Sequence, residues 1–576
     1  MVIYNVPYRE GYMNELDEGP TSSSPLRRWG LVAFLVIVIA AFMTRLMPLA
    51  LSSYPFNNDS LTECALASRI LGSGHLIALG DSASGASHSA ATPGLSLLLS
   101  FISGALGFTP FQCAQIVNAM ISMLTVSGVF LLGKTISGSL RGGVAAGLGG
   151  VMLGTFVYTS GSAWDESLGV GLLALTIFCF IQRGDRRYRT LCFGILMILP
   201  VVHHLVAVIA LLSIAFPLVW RMYYGVTNRT LNKHHFYDIV LVVIPFLWTG
   251  LYYFSVSFDR IETLSSPKQT ILASVSFVLL TMVAIFVLRR QNHMKFTFAP
   301  LLALGIVVLL TLDYVGFVFP YNPTASIIVM ILVVSYAVLF GLAWYGTEMA
   351  LERYPRYRVI QVGLLLSPAT IIGYSLLNGF TVSSLQISYR TFDFVDIFIF
   401  VGIGIALAHL GRISGRRAYH IVGFAVVTLL VLSFPFGYAS QQLLGVRHDT
   451  QAYEVDALQW ISMASNRSSP DVQSDERIAY IGLSMFGLVK DNDLPSSLEA
   501  NISWPPGFYF VHEQSWSYYG VNNYPHGNVV VSSQWMTELL GMQNVMYIGG
   551  GARDQLVLWE ASGIGEGVNH WYVPEA

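Results

Sequence analysis

Apolar runs of about 20 residues recur from Trp29 to Tyr438, and no other feature of the chain constrains its fold as strongly. A run of that length crosses a hydrocarbon core of about 30 Å as a helix, which satisfies its own backbone hydrogen bonds where water cannot. Of the 576 residues, 54% are hydrophobic and 11% charged, against about 25% charged in ordinary soluble domains. The solvent for most of the chain is therefore lipid, and a soluble enzyme is excluded. A net charge of -2 also excludes a nucleic-acid footprint. The first run is too long for a signal-peptide core and reads as a retained helix after a polar cytoplasmic leader, residues 1–28. Cys64, Cys113, Cys179 and Cys192 lie in or beside apolar segments without metal-type spacing and read as apolar filler.

Thirteen spans are expected, at roughly 29–51, 111–133, 142–160, 167–182, 190–203, 204–222, 236–256, 270–288, 297–315, 324–346, 359–378, 393–411 and 418–437. With the N-terminus in the cytoplasm, one side of the membrane receives 21 of the 31 lysines and arginines. The opposite loops and helix ends before residue 438 carry five: Arg45, Arg69, Arg260, Lys268 and Arg390. The positive-inside rule then fixes the orientation, and an odd number of spans sends the C-terminal part outside. This alternation requires that the glycine-interrupted run from Pro93 to Gly107 does not cross. It reads as a re-entrant or interfacial helix inside a large external loop, residues 52–110, whose amphipathic stretch from Ser60 to Leu71 is expected to lie along the membrane surface.

From residue 438 the pattern changes. Strand-like runs (RIAYIGLSMFGLV, NVVVSS, NVMYIGG and QLVLWEA) alternate with polar turns, predicting a small external α/β domain over 438–576. The expected architecture is an all-α polytopic membrane bundle, residues 29–437, with that domain outside it. The chain is then an integral protein of the plasma membrane.

Ionisable side chains at the mouths of membrane helices are costly beside lipid, so each is a functional candidate. Asp59 and, one helical turn on, Glu63 lie in the first external loop, whereas Asp165 and Glu166 start a helix after the third span. Two such carboxylate clusters on one face could bracket a reacting centre. The structural alternatives are an N-cap at Asp59 and a solvated helix start at Asp165 and Glu166. Arg390, followed by Asp393 and Asp396, suits bidentate capture of a phosphate or a simple interfacial anchor. Asp313 either joins the carboxylate set or is a buried, hydrogen-bonded carboxyl. His203 and His204 form a pair that binds metal, shuttles protons or simply packs. Arg45 is either a snorkelling anchor or a second phosphate contact. Sequons occur at Asn58, Asn228, Asn466 and Asn501, of which Asn228 is cytoplasmic by the expected topology.

The order of these features resembles the GT-C superfamily of membrane glycosyltransferases, and especially the membrane half of the single-subunit oligosaccharyltransferases. The likeness runs over residues 29–437. It comprises about thirteen helices, the first-loop acid in YPFNNDSLTEC, the interfacial helix TPGLSLLLSFISGALGFTPF and the acidic pair in SGSAWDESL. The resemblance implies a sugar taken from a polyprenyl phosphate or pyrophosphate carrier on the non-cytoplasmic face, with Asp59 as first-loop catalytic carboxylate and Asp165 and Glu166 as the second acidic motif. The oligosaccharyltransferase string W-W-D-Y-G has no counterpart, because neither YIGLSMFG nor SWSYYGVNNY supplies the aspartate. A monosaccharide transferase with another acceptor (glycan, lipid or protein) is the better match.

In that scheme Asp59 deprotonates the acceptor and the sugar is inverted at C1. Arg390 holds the leaving phosphate, with Glu63, His203, His204 and Asp313 lining the substrate site. Asp165 and Glu166 orient the acceptor or bind a divalent cation, Mg or Mn, which is optional because the superfamily includes metal-free members. The competing readings are a transporter or flippase and a non-catalytic scaffold. Against transport, no pair of matching Gly/Pro-broken segments appears, and the acids cluster at one face rather than at mid-bilayer.

Overall fold

The computed structural model describes residues 25–76, 87–227, 233–256, 267–289, 327–353, 355–379, 390–413, 416–438, 448–464, 471–491, 507–512, 521–523, 527–529, 545–549 and 556–561, and Ile387, Leu494, Trp516, Val531 and Thr537. In chain order the helices of the first half are α1 (Pro25–Leu46), α2 (Asn58–Ser73), α3 (Ser87–Ala91), α4 (Gly94–Leu106), α5 (Pro110–Ser137), α6 (Leu140–Met152), α7 (Gly154–Gly161), α8 (Asp165–Ile181) and α9 (Arg186–Val202). The bundle continues with α10 (His204–Thr227), α11 (Lys233–Ser255), α12 (Pro267–Arg289), α13 (Ile327–Arg353), α14 (Pro355–Leu377), α15 (Phe392–Ile413) and α16 (Arg416–Ser433). The expected span 297–315, with Asp313, lies outside the described residues. Every other expected span coincides with one helix except the third, which is divided between α6 and α7. Among the described residues, seven helices are long and apolar enough to cross a membrane, and the α6–α7 pair counts as an eighth. The run from Pro93 forms α4, a helix of 13 residues, too short to cross.

Helix α15 is the axis of the bundle, with Phe398, Ile399, Phe400 and Val401 fully buried. Its approach to α13 depends on small residues: a Cβ on Gly346 would stand 1.9 Å from the Gly402 carbonyl oxygen.

The third expected span is not one helix. It breaks at Leu153, where α6 and α7 meet at 66°. A break strands backbone groups that lipid cannot satisfy, and here each finds a partner. The Gly154 N–H donates to Ser433 Oγ at 3.2 Å. Arg45, fully buried, donates to the Gly150 carbonyl at 2.7 Å and the Val151 carbonyl at 2.8 Å, and its other N–H groups reach Ser160 and Thr44. Arg45 is thus neither a snorkelling anchor nor a phosphate contact, because all five of its donors are spent on the fold.

The opposite end carries the basic loops. Arg183 and Arg221 share the buried Asp238 at 2.9 and 2.5 Å, tying the α8–α9 turn to α10 and α11. Arg412 donates to the Ser137 carbonyl at the end of α5 at 3.1 Å.

After α16 come α17 (Ala452–Ala464), β1 (Asp471–Gln473), α18 (Glu476–Phe486), β2 (Val489–Asp491), β3 (Gly507–His512), β4 (Val521–Asn523), β5 (Gly527–Val529), β6 (Val545–Gly549) and β7 (Leu556–Ala561). The main sheet has the order β2-β1-β3-β7-β6, with β1 parallel to β2 and β3, and β7 antiparallel to β3 and β6. The runs NVMYIGG and QLVLWEA are strands β6 and β7, but RIAYIGLSMFGLV is not a strand. Most of it is α18, the crossover between β1 and β2. Asp475 caps it by accepting from the Ile478 N–H at 2.9 Å, and Gly487 ends it at φ 68°. Arg477 clamps α18 to α17 through Glu454 at 2.5 and 3.0 Å.

Helix α2 is also not a lipid-surface helix. Leu61 sits in one core with Leu458, Ile461, Ile478, Ile481 and Phe510, so the C-terminal elements cover α2. Its other face, with Cys64 and Ala67, packs on Leu95 and Leu99 of α4 and Ala114 and Val117 of α5.

Candidate active site

The chain enters α2 through Asn57, the only non-glycine residue with positive φ among the described residues, at φ 76° and ψ 144°. Such a backbone costs about 1–3 kcal/mol and persists only where its surroundings over-determine it. Three partners do so. The Asn57 N–H donates to the His448 carbonyl at 3.1 Å, its Nδ2 donates to Tyr158 Oη at 3.0 Å, and its Oδ1 accepts from the Asp59 N–H at 3.2 Å. Asn57 is therefore the N-cap, and the Asp59 carboxylate is released from that structural task. The neighbouring Asn58, one of the sequons, is half-buried, with its Oδ1 turned into this corner.

Burial separates the two acids of α2. Asp59 is half-buried, whereas Glu63 is 2% exposed and bonded to the Ser96 hydroxyl of α4. Burial pushes the Glu63 carboxyl up to about 8, the Asp165 charge adds to this, and hydrogen bonds from Ser89 and Ser96 oppose it. The first-loop acids and Asp165 therefore lie within electrostatic reach of each other.

Asp165 and Glu166 diverge at the start of α8. Asp165 Oδ2 accepts from Thr92 Oγ1 at 3.1 Å and Oδ1 from the Glu166 N–H at 2.9 Å, with His203 Nε2 at 3.9 Å. Glu166 is buried, so it is not part of a solvated helix start. Among the described residues its Oε1 has no hydrogen-bond partner, and the side chain lies within electrostatic reach of Asp393, Arg390, Asp165 and Asp59. Arg390 lies one turn before Asp393 at the entry to α15. Asp393 accepts from Thr159 at 2.6 Å and Asp396 from Thr155 at 3.0 Å, which registers α15 against α7. His203 and His204 stack at 4.8 Å beside Asp165.

Tyr480 of α18 joins this group from the C-terminal part. Its phenol is pushed up by burial and by the Asp59 charge, and it also faces Thr62, Glu63 and Arg390. No sequence signal marks it, because its place depends on how α18 docks on α2. Tyr158 and His448 close the Asn57 corner at 3.2 Å, where burial and the Arg477 charge push His448 down to about 4.

Among the described residues, no three His, Cys, Asp or Glu side chains converge where a metal ion could sit. Both Asp165 oxygens already have protein donors, so Asp165 and Glu166 do not by themselves close a resident metal site. The bare Glu166 oxygen can accept a hydrogen bond from a group on a bound substrate.

No family model matches the chain, and no curated protein matches it. Solved structures do. The Archaeoglobus fulgidus oligosaccharyltransferase tethered to an acceptor peptide containing the NVT sequon superposes with a TM-score of 0.55 at 12% identity, over 93% of this chain and 74% of that one. The same enzyme in complex with zinc and sulfate gives a TM-score of 0.51 at 14% identity, over 84% and 68%. The chain has the GT-C fold. At that identity the likeness is one of architecture. In this GT-C fold the first-loop acids, the acids opening α8 and the α15 arginine occupy one end of the bundle, beneath α18.

Proposed function

We propose that the protein transfers a sugar from a polyprenyl-phosphate-linked donor to an acceptor on the non-cytoplasmic face. One observation carries this reading: Asp59, Glu63, Asp165, Glu166 and Arg390, far apart in sequence, lie within electrostatic reach of one another at one end of a GT-C bundle. A mid-membrane solute site would instead place its charges along the bundle axis.

The surroundings assign the roles. Glu63 keeps its proton at neutral pH, so it cannot be the base. Asp59 is the accessible acid beside it and takes the proton of the acceptor nucleophile. As the nucleophile bonds to C1 with inversion, the C1–O bond breaks and its electron pair leaves on the phosphate oxygen, where the Arg390 guanidinium stabilises the charge. Asp165 and Glu166 orient the acceptor, Glu166 through its free oxygen, and Tyr480 brings a hydroxyl from the C-terminal part. The missing W-W-D-Y-G string argues for an acceptor other than a sequon asparagine.

The test uses purified protein in detergent with undecaprenyl- and dolichyl-phosphate-linked hexoses, measuring released polyprenyl phosphate. Asp59→Asn should lower turnover by about 100- to 10,000-fold. Folding should be intact, because the helix cap belongs to Asn57. Wild-type turnover in this variant defeats the assignment. Solute flux through proteoliposomes without sugar consumption would favour a transporter.

A further inference from the structure

We propose that His203 is a positioning residue: its imidazole carries its proton on Nε2 and directs it at Asp165. The geometry stands alone, and only the kinetic consequence rests on the transferase reading. His203 occupies the extended break between α9 and α10, at φ -162° and ψ 126°, and is 1% exposed. The Val206 N–H points at its Nδ1 at 3.3 Å. A backbone N–H can only donate, so Nδ1 presents a lone pair and the neutral ring carries its hydrogen on Nε2. His203 thereby does for α10 what Asn or Asp does at other helix starts, with a ring nitrogen in place of the side-chain oxygen.

Nε2 stands 3.9 Å from Asp165 Oδ1. Around the pair are His204, stacked on the ring, Thr92 on the other carboxylate oxygen, Glu63 beyond it, and Tyr253, whose hydroxyl donates to the Pro200 carbonyl at 2.9 Å. A second proton, on Nδ1, would set two donors against each other and add positive charge at the N-terminus of α10. Metal binding through Nδ1 is blocked by the same bond. What remains is an N–H that faces Asp165 at 3.9 Å, an electrostatic contact rather than a direct hydrogen bond, added to the bonds that Thr92 and the Glu166 N–H give the same carboxylate.

Two substitutions separate the two nitrogens. His203→Asn places an amide oxygen near Nδ1, keeping the cap and losing the reach to Asp165. His203→Gln places an amide N–H near Nε2 and loses the cap. His203→Asn should unfold at the wild-type temperature but lose about 100-fold in kcat at unchanged KM for the lipid-linked hexose, the scale of a misplaced catalytic group. His203→Gln should melt at a lower temperature and turn over about tenfold faster than His203→Asn.

Independently of turnover, full-length protein labelled with 15N-histidine, with His203 assigned by its loss in His203→Asn, should show the Nε2–H tautomer. Its Nε2 resonance should move in Asp165→Asn. An Nδ1–H tautomer, a resonance indifferent to Asp165→Asn, or wild-type kcat in His203→Asn overturns the proposal. Absence of turnover by the wild type with every lipid-linked hexose overturns the transferase reading instead, and the resonances still decide the placement of His203.

Discussion

Asp59 and Glu63 are one helical turn apart, yet the fold gives them opposite tasks, and pH separates them. Glu63 holds its proton to about 8 in the fold and would release it near the ordinary 4.5 when unfolded. Between those values the native state binds more protons, so the stability Glu63 contributes is full below about 4.5 and is lost as pH rises through 8. Glu63→Gln cannot ionise and should escape this loss. Its unfolding temperature in detergent should match wild type at about pH 5 and exceed it at about pH 8.5. An equal difference at both pH values would show that Glu63 does not carry the proton. The acids themselves are legible in the sequence, because a carboxyl at the mouth of a membrane helix is expensive without a purpose. Which of them caps α2 is not, since Asn57, Asn58 and Asp59 are all good caps by type and the positive φ of Asn57 appears only in the folded chain.

Helix periodicity and run length made the spans readable, but the break in the third one turns on a residue 105 positions upstream of a carbonyl it satisfies. Arg45→Ala would leave the Gly150 and Val151 carbonyls buried without donors, at about 1–3 kcal/mol each. We expect Arg45→Ala to lower the thermal midpoint in detergent well below that of Arg45→Lys, which keeps donors but not the fork that serves both carbonyls and Ser160. Equal midpoints for wild type and both variants would mean that the break is held by Ser433 alone. At α18 the sequence pattern fits two structures. Its apolar residues Ile478, Ile481 and Met485 follow a helical spacing, but the short run between polar turns also fits a strand, and the Asp475 cap is what decides.

At the scale of the whole molecule, the paired arginines and the clustered carboxylates lie at opposite ends of the bundle. The arginines at Asp238 and at the end of α5 occupy one end, and the carboxylates with Arg390 the other. A reporter after Arg187 should therefore be cytoplasmic and one after Ala576 external, and finding both on one side would overturn the orientation. The C-terminal part is more than a cap on this arrangement. Its α18 buries the outer face of α2, the helix that carries Asp59, and brings Tyr480 to the same acids. Thr62 of α2 and Ser484 of α18 touch, Oγ to Oγ, at 2.8 Å. Cysteines at both positions should therefore form a disulfide on mild oxidation, while Cys64 beside Thr62 stays a buried thiol pushed far from its reactive form. If the docked state is the one that turns over, the crosslinked protein should consume lipid-linked hexose at about the rate of its reduced form. Turnover abolished by the crosslink and restored by reductant would instead show that α18 must lift away from α2 in each cycle. Failure to crosslink would show that α18 does not rest on α2, and Tyr480 would then drop out of the site.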